Sequence, residues 1–340
     1  MRRRELLGAL AASPLAGFEG RYGVTARTLS SPRLELIVLH DREAGLEAAI
    51  CPSQGGELTS LRLRHKGKWT ELLYRAAEYG PLEGWRGKAP LLWPATGRSL
   101  APGRGPGYLW KDRLYKMADH GFIRDLPWDA KDKGSDGSGA FATLVVKDNA
   151  GTRLQYPFGF QLAVDYRVHS GAIEIAYTVA AAPDNAGPMF FSIGNHITFR
   201  TPFVDGTPPG AVRIFTPATE EIVKNAERLP TGQTRPWKLD GPVPLSRMKR
   251  NEALSLTGYA GGRPYVTLED PAGLGIRLSH TATSLPPQPV VLFNMWGDPA
   301  AGYYSPEPWV GLQNSFNLRK GLLHLEPGGR FGWRIRVERT

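Results

Sequence analysis

Residues 160–181 alternate so strictly that few backbone conformations are open to them. Phe160, Leu162, Val164, Tyr166 and Val168 interleave with Gln161, Ala163, Asp165, Arg167 and His169. Ser170-Gly171 follows, and Ile173, Ile175, Tyr177 and Val179 then interleave with Glu174, Ala176, Thr178 and Ala180. A repeat of two is that of a strand, whose successive side chains point to opposite faces, so each run buries one face and wets the other. Joined by Ser-Gly, the two runs form an antiparallel hairpin. The chain's last segment repeats the pattern, with Phe331, Trp333, Ile335 and Val337 facing inward and Arg334, Arg336 and Glu338 facing water. Further short strands are expected at 34–40, 46–51, 58–63, 141–147, 265–269, 275–279 and 289–295. No long amphipathic helix is visible, and residues 100–114 read as a Gly/Pro-rich loop. The chain is therefore all-β, and its many antiparallel strands call for stacked sheets or a barrel.

Composition fits one large domain. With 340 residues, 41% of them hydrophobic, the chain can bury a substantial core. Its 40 Gly and 29 Pro suit many short strands joined by turns. No apolar run approaches the roughly 20 residues of a membrane helix, so no membrane partner is expected. The net charge of +10 comes from scattered Lys and Arg, and no nucleic-acid-binding module is recognisable. Arg247-Met248-Lys249-Arg250 reads as a solvated loop. The single cysteine, Cys51, cannot form an intramolecular disulfide, has no Cys/His cluster beside it to hold a metal, and is expected to pack as a small apolar residue. Gly103-Arg104-Gly105-Pro106-Gly107 lacks the Lys-Ser/Thr of a phosphate loop.

At the N-terminus, Arg2-Arg3-Arg4 leads into a short apolar stretch and the small residues of Ala9–Gly17. This pattern resembles a twin-arginine export signal. The expected division is an export signal and tail over 1–28 and a single folded domain over 29–340, with export to the periplasm favoured over a cytoplasmic protein with a basic tail.

Three segments carry candidate chemistry. Pro306-Glu307-Pro308, followed by Trp309-Val310-Gly311, sets one carboxylate between two residues that lack a backbone N–H, so few local donors compete for it and it is free to act as a general base. Taken alone, the same tripeptide also describes a surface turn. In Phe190–Phe199 an apolar run reads as a buried strand ending in Gly194-Asn195-His196, which places His196 at a rim where it can meet ligand. The third segment, Asp119-His120-Gly121-Phe122-Ile123-Arg124, holds a second imidazole among aromatics.

Together these segments resemble the aldose 1-epimerase (galactose mutarotase) family, with its HGF-x-R motif, its G-x-H motif after a strand and its late EPW-x-G motif. Leu92–Ser99, with Arg98, looks like the family's early arginine segment. Phe158-Gly159-Phe160 looks like the opening of its central hairpin, and Leu325-Glu326-Pro327-Gly328-Gly329 like its closing turn. The resemblance spans about residues 34 to 338. It implies a large antiparallel β-sandwich of the galactose mutarotase-like type that interconverts the α and β anomers of free aldohexoses. Glu307 would be the ionised base at O1 and His196 the protonated acid at the ring oxygen. His120 would donate to that oxygen, Arg98 would hold sugar hydroxyls, and Trp309 and Gln313 would complete the sugar site. No metal or organic cofactor is implied, the partner is a small sugar, and the protein would be a monomer or dimer. Trp296 and Phe122 are as well suited to the core as to stacking on a sugar ring.

The chain departs from the family's pattern at three points. The acidic residue expected in mid-chain has two candidates, Asp205 and Asp240, with no motif to choose between them. Ile197-Thr198 follows the second imidazole where relatives often have a proline, and Gln313-Asn314 is only an approximate match to the polar pair after the Glu motif. Other readings of the same sandwich are a hexose-6-phosphate 1-epimerase, which the basic charge suits, a non-catalytic carbohydrate-binding protein, and a polysaccharide lyase or glycosidase.

Overall fold

The computed structural model describes residues 20–30, 32–75, 87–282 and 290–340. Residues 1–19, which carry most of the expected export signal, lie outside them. The folded sheet begins before residue 29, however. Tyr22–Ser30 is a strand paired antiparallel with Arg33–Asp41 from Tyr22↔Asp41 to Ser30↔Arg33. The domain therefore takes in residues assigned from the sequence to the tail. The polar Thr and Arg of this strand weaken its apolar alternation, which hides it from a periodicity argument.

Two large antiparallel sheets and a smaller one build the sandwich. The nine-stranded sheet runs in the order Asp129–Asp136, Gly139–Lys147, Phe160–His169, Ala172–Ala181, Arg330–Arg339, Leu274–Ala282, Tyr265–Asp270, Arg213–Phe215 and Val243–Pro244. At its centre lies the hairpin expected from the sequence, in register from Phe160↔Ala181 to His169↔Ala172, with Ser170 and Gly171 both at positive φ. Twist-compatible two-residue turns require that conformation. Asp129–Asp136 is almost wholly exposed and mostly charged, as suits an edge strand that must not recruit another. The eight-stranded sheet includes Pro230–Pro236, Glu220–Lys224, Leu254–Thr257, Val291–Asp298, Tyr303–Val310, Ile193–Asn195 and Leu91–Leu92 in that order, with Phe199–Arg200 also pairing to Tyr303–Val310. A five-stranded sheet holds the first five strands, Tyr22–Ser30 to Lys68–Glu71.

One continuous apolar core runs between the sheets, with Ile37 and Leu39 from the smallest, Leu162, Ile175 and Trp333 from the largest, and Phe293 and Met295 from the third. A polar strut crosses it. Trp333 Nε1 donates to His280 Nδ1 at 3.1 Å, so the ring's other proton sits on Nε2 and goes to Leu292 O, also at 3.1 Å. Burial pushes the His280 pKa down to about 3, which keeps this imidazole neutral. Cys51 is buried beside Val38 and Ala49, as a small apolar residue would be.

Two local expectations need correction. Residues 100–114 are more ordered than a loop: Leu100–Ala101 pairs with Gly105–Pro106, and Tyr108–Trp110 with Arg113–Tyr115. Their anchor is the buried Tyr108 ring, edge-on to Phe190 and Phe316. The apolar run before His196 is two strands rather than one. Met189–Phe191 pairs with Leu323–Leu325, whereas Ile193–Asn195 joins the eight-stranded sheet, and Ser192 marks the crossing. Among the described residues no helix is long and apolar enough to cross a membrane.

Candidate active site

Glu307 is not in a turn. It lies within the Tyr303–Val310 strand, directly opposite Asn294 on Val291–Asp298. On its other side this strand meets Ile193–Asn195 only through Trp309 and Val310, and Phe199–Arg200 only through Tyr303 and Tyr304. Pro306 and Pro308 fall in the gap between those two contacts, where a missing N–H breaks no ladder on that side. The gap also opens the sheet at the carboxylate. Glu307 Oε1 accepts a hydrogen bond from Asn294 Nδ2 at 2.9 Å, and Asn294 Oδ1 accepts one from Ser255 Oγ at 2.9 Å. Ser255, Asn294 and Glu307 are cross-strand neighbours in one row. The row fixes which way the Asn294 amide faces and ties down one carboxylate oxygen. The other, Oε2, is buried and makes no hydrogen bond among the described residues.

His196 follows the Ile193–Asn195 strand. Its backbone N–H donates to Pro90 O at 2.9 Å, and the next strand-like contact is Thr198 N–H to Lys88 O at 2.9 Å. The ring therefore leaves the sheet edge at a fixed height, and Nε2 stands 3.6 Å from Glu307 Oε1. Both side chains are almost fully buried. Burial pushes the Glu307 carboxyl up to about 8, opposed first by the Asn294 hydrogen bond, then by the nearby Trp309 indole and by Lys224. The Trp309 N–H favours the carboxylate's charge by proximity but misses hydrogen-bond geometry. The same desolvation brings the His196 imidazole down to about 3. Near neutral pH burial therefore favours the proton on Glu307 and a neutral His196. The charged arrangement expected from the sequence, carboxylate and imidazolium, has the same proton count and lies one proton transfer away.

His120 faces His196 with ring centroids 5.5 Å apart. Its backbone N–H donates to Gly97 O at 2.9 Å, and Gly97 N–H donates back to His120 Nδ1 at 3.0 Å. An Nδ1 that accepts leaves the proton on Nε2, so this imidazole is a hydrogen-bond donor through Nε2. Burial, then the neighbouring His196 and Arg124, hold its pKa well below the usual value. Gly97 has φ +63°, and a Cβ there would come within 2.7 Å of Gln313 Cγ, so glycine alone fits this clasp.

All six residues singled out in the sequence meet at one cleft of about 510 Å³, within the ~300–1,000 Å³ usual for small-molecule sites. Arg98, His120, His196, Glu307, Trp309 and Gln313 all line it. Trp296 lines it too, whereas Phe122 is in the core. Asp205 and Asp240 are elsewhere: each is exposed and paired with a near neighbour in sequence, Arg200 at 2.7 Å and Lys238 at 2.7 Å. Among the described residues, the acids that line the cleft besides Glu307 are Asp119, Glu221 and Glu252. Sequence reasoning also missed Asn294, Lys224 and Arg228, and it left Arg124 inside a quoted motif without a role. Arg235 is neutralised by a two-pronged contact with Glu221 at 2.9 and 2.8 Å. Arg98 and Lys224 instead donate to the backbone carbonyls of Glu227 and Ala253, at 2.9 and 2.7 Å. Burial lowers the Lys224 pKa to about 8.

A buried carboxyl and imidazole within reach of one ligand, with a fixed donor beside them, can move protons at two oxygens of the same small molecule. Comparison with known proteins agrees in kind. The aldose 1-epimerase family model matches residues 35–318. A putative glucose-6-phosphate 1-epimerase of Salmonella typhimurium is 27% identical over 111 residues, which span 32% of this chain and 33% of that protein. Among solved structures, a galactose mutarotase-like protein from Clostridium acetobutylicum superposes with a TM-score of 0.74 at 19% identity, over 93% of this chain and 98% of the other. Galactose 1-epimerase from Lactobacillus acidophilus gives 0.67 at 13% identity, over 94% and 98%. At these identities the structural likeness speaks for the fold alone.

Proposed function

Since the chain belongs to the aldose 1-epimerase family and is an isomerase, we propose that it interconverts the anomers of free aldohexoses, with Glu307 as base and His196 as acid. The observation that carries this reading is the 3.6 Å separation of Glu307 Oε1 from His196 Nε2 at the wall of a cleft that also holds His120, Arg98, Trp309 and Gln313.

The chemistry follows from the proton positions. Sugar hydroxyls entering the cleft supply the donors that Glu307 Oε2 lacks, which favours the carboxylate and passes the shared proton to His196 Nε2. The carboxylate then takes the O1 proton while the C1–O5 bond breaks and O5 takes the proton from His196. The product is the open-chain aldehyde. Rotation about C1–C2 presents the other face of the carbonyl, O5 attacks C1, and the two protons return along the same routes. In this reading the Nε2–H of His120 polarises O5, and Arg98 and Gln313 hold the hydroxyls. Each proton transfer contributes on the order of 10²–10⁴-fold.

The test is anomer exchange followed by polarimetry or NMR on freshly dissolved glucose, galactose and xylose. Exchange that never exceeds the spontaneous background would overturn the reading and favour a sugar-binding protein without turnover. A second substrate class, a hexose 6-phosphate, is favoured by the cations Arg98, Lys224 and Arg228 at the cleft and by the name of the Salmonella relative. In the same assay glucose 6-phosphate would then show the higher kcat/KM, and Arg228→Ala would erase that preference. Export to the periplasm, where phosphorylated sugars are scarce, would favour the neutral sugar.

A further inference from the structure

Two complementary polar atoms at the cleft wall belong to neighbouring side chains of one strand. Trp309 follows Glu307 by two residues on Tyr303–Val310, so the indole and the carboxyl leave the same face of the sheet. Both side chains are almost wholly buried, and both line the cleft. Among the described residues, Trp309 Nε1 and Glu307 Oε2 each lack a hydrogen-bond partner. An indole N–H can only donate and a carboxylate oxygen can only accept, so each atom is what the other is missing. The indole is already close enough to favour the carboxylate's charge, second only to Asn294 among the influences that oppose burial.

The indole has little freedom to turn elsewhere. Gly194 lies directly opposite it on Ile193–Asn195, and a Cβ there would come within 2.9 Å of Trp309 Nε1 and closer still to Cδ1. This accounts for the glycine of Gly194-Asn195-His196: it leaves room for the edge of the indole that carries the N–H. Leu92, Ile222, Leu292 and Leu312 pack with the ring, and His120 meets it edge-on with centroids 6.1 Å apart. The carboxyl is less constrained. Only Oε1 is tied, by Asn294 Nδ2, and the terminal torsion of a glutamate has a broad, shallow minimum. A modest turn of the carboxyl about that torsion is the motion available to bring Oε2 and the N–H together.

We propose that Trp309 is a positioning residue whose indole N–H closes onto Glu307 Oε2 when the carboxyl ionises, so that each oxygen of the base gains one fixed donor. The kinetic consequence rests on the acid/base assignment above; the closure itself does not. A hydrogen bond to an ionised acceptor is about twice as strong as one between neutral groups, so this contact favours the charged state over the protonated one. Oε2 has a second lone pair, which is left for the sugar hydroxyl that gives up its proton. The charged and titratable groups around the carboxyl are His196, His120 with Arg124 beside it, and Lys224 with Glu221, Glu252 and Arg228 about it. The strand Val291–Asp298 contributes the neutral Asn294. Of these groups Lys224, lowered to about 8, titrates in the same interval as Glu307, so a test must separate the two.

The direct test is NMR of the full chain labelled with ¹⁵N at tryptophan, titrated without sugar from about pH 6 to 10. The Trp309 indole proton should move downfield as a hydrogen bond to a charged acceptor forms, with a midpoint near pH 8. The movement should vanish in Glu307→Gln and persist in Lys224→Met. An indole proton that stays in place, that moves alike in Glu307→Gln, or that stops moving only in Lys224→Met overturns the proposal. The resonance is identified by its loss in Trp309→Phe and by its contact with the Gly194 α-protons. The kinetic arm uses Trp309→Phe, which keeps an aromatic ring and removes the N–H. Its kcat at neutral pH should fall roughly 10-fold, and the high-pH limb of kcat/KM should move upward because the carboxyl holds its proton longer. A limb that does not move also overturns it. Should Trp309→Phe not fold, the Gly194 contact alone identifies the signal and the titration decides. A wild-type protein that exchanges no anomers would defeat the epimerase reading, while the NMR arm would still decide whether the N–H closes on the carboxylate.

Discussion

Glu307 Oε1 and His196 Nε2 stand 3.6 Å apart in surroundings that disfavour charge on either, so the two groups hold one proton between them over a wide pH range. The first consequence is kinetic. Glu307→Gln keeps the Asn294 hydrogen bond and the packing but cannot accept a proton. Its kcat for anomer exchange should drop about 10²–10⁴-fold while sugar affinity, read by tryptophan fluorescence, changes little. His196→Asn should do the same. A Glu307→Gln protein with near-normal polarimetric rates would remove the proposed base.

The pair also shapes stability. Glu307 rises from an ordinary 4.5 to about 8 on folding, and His196 falls from 6.5 to about 3. Between about pH 4.5 and 6.5 the folded pair holds one proton and so does the unfolded pair, so stability has no slope from this source. Above pH 6.5 the unfolded pair holds none while the folded pair keeps one, and stability falls as pH rises toward 8. Below pH 4.5 the unfolded pair holds two, and stability falls as pH drops toward 3. Against a Glu307→Gln, His196→Asn double variant, the wild-type melting temperature should lose ground on both sides of that window and track it within. A difference that is level from about pH 3 to 9 would mean that the two groups titrate normally.

Much of this site was legible in the sequence, and what was not has a physical reason. Glu307, His196 and His120 announce themselves because a carboxylate between prolines and imidazoles at a strand end or in a glycine turn are unusual local chemistry. The central hairpin is legible because one face of it is wholly buried, which forces the alternation. Tyr22–Ser30 and Asp129–Asp136 are not, because strands with a mostly wet surface are under no such constraint. Asn294 lies in a run, Val291–Asp298, that reads only as core, and its role exists only once that strand lies against Tyr303–Val310. Asp205 and Asp240 were the natural acidic candidates in mid-chain, yet exposure in loops puts them outside the cleft that Glu221, Glu252 and Asp119 line.

Asn294 offers a graded test of the carboxylate's environment. Its Nδ2–H is the strongest influence opposing the upward push of burial on Glu307. Asn294→Leu removes it and fills the space with apolar atoms, so the Glu307 pKa should climb further and the carboxylate should form less readily. We expect kcat/KM to fall by roughly an order of magnitude at neutral pH, and its high-pH limb, set where the pair loses its last proton near pH 8 in the wild type, to move upward. A limb that stays in place would separate Asn294 from the titration. Ser255→Ala, which only frees the amide to turn, should give a weaker version of the same shift.

A second buried charge pair supports the wall on which His196 sits. Lys88 Nζ and Glu57 Oε1 are 2.9 Å apart, both side chains nearly inaccessible, and the residues after Lys88 carry the His196 strand: Ala89 O accepts from Asn195 Nδ2, and Pro90 O from His196 N–H. Burial pushes Glu57 up to about 7, with Lys88 as the main opposing influence. Breaking such a pair from one side leaves an uncompensated buried charge, so Lys88→Met should cost about 3–5 kcal/mol, whereas Glu57→Leu with Lys88→Met should recover much of it. The sign with pH follows from the raised carboxyl. Without Lys88 the folded-state value climbs further above the unfolded 4.5, the folded protein must keep Glu57 protonated or bury its charge, and the deficit should grow as pH rises past about 7. Denaturant melts of the three proteins at about pH 5.5 and 8.5 would show it: a single-variant deficit that is the same at both would mean that Glu57 is already neutral in the wild type, and the pair no ion pair at all.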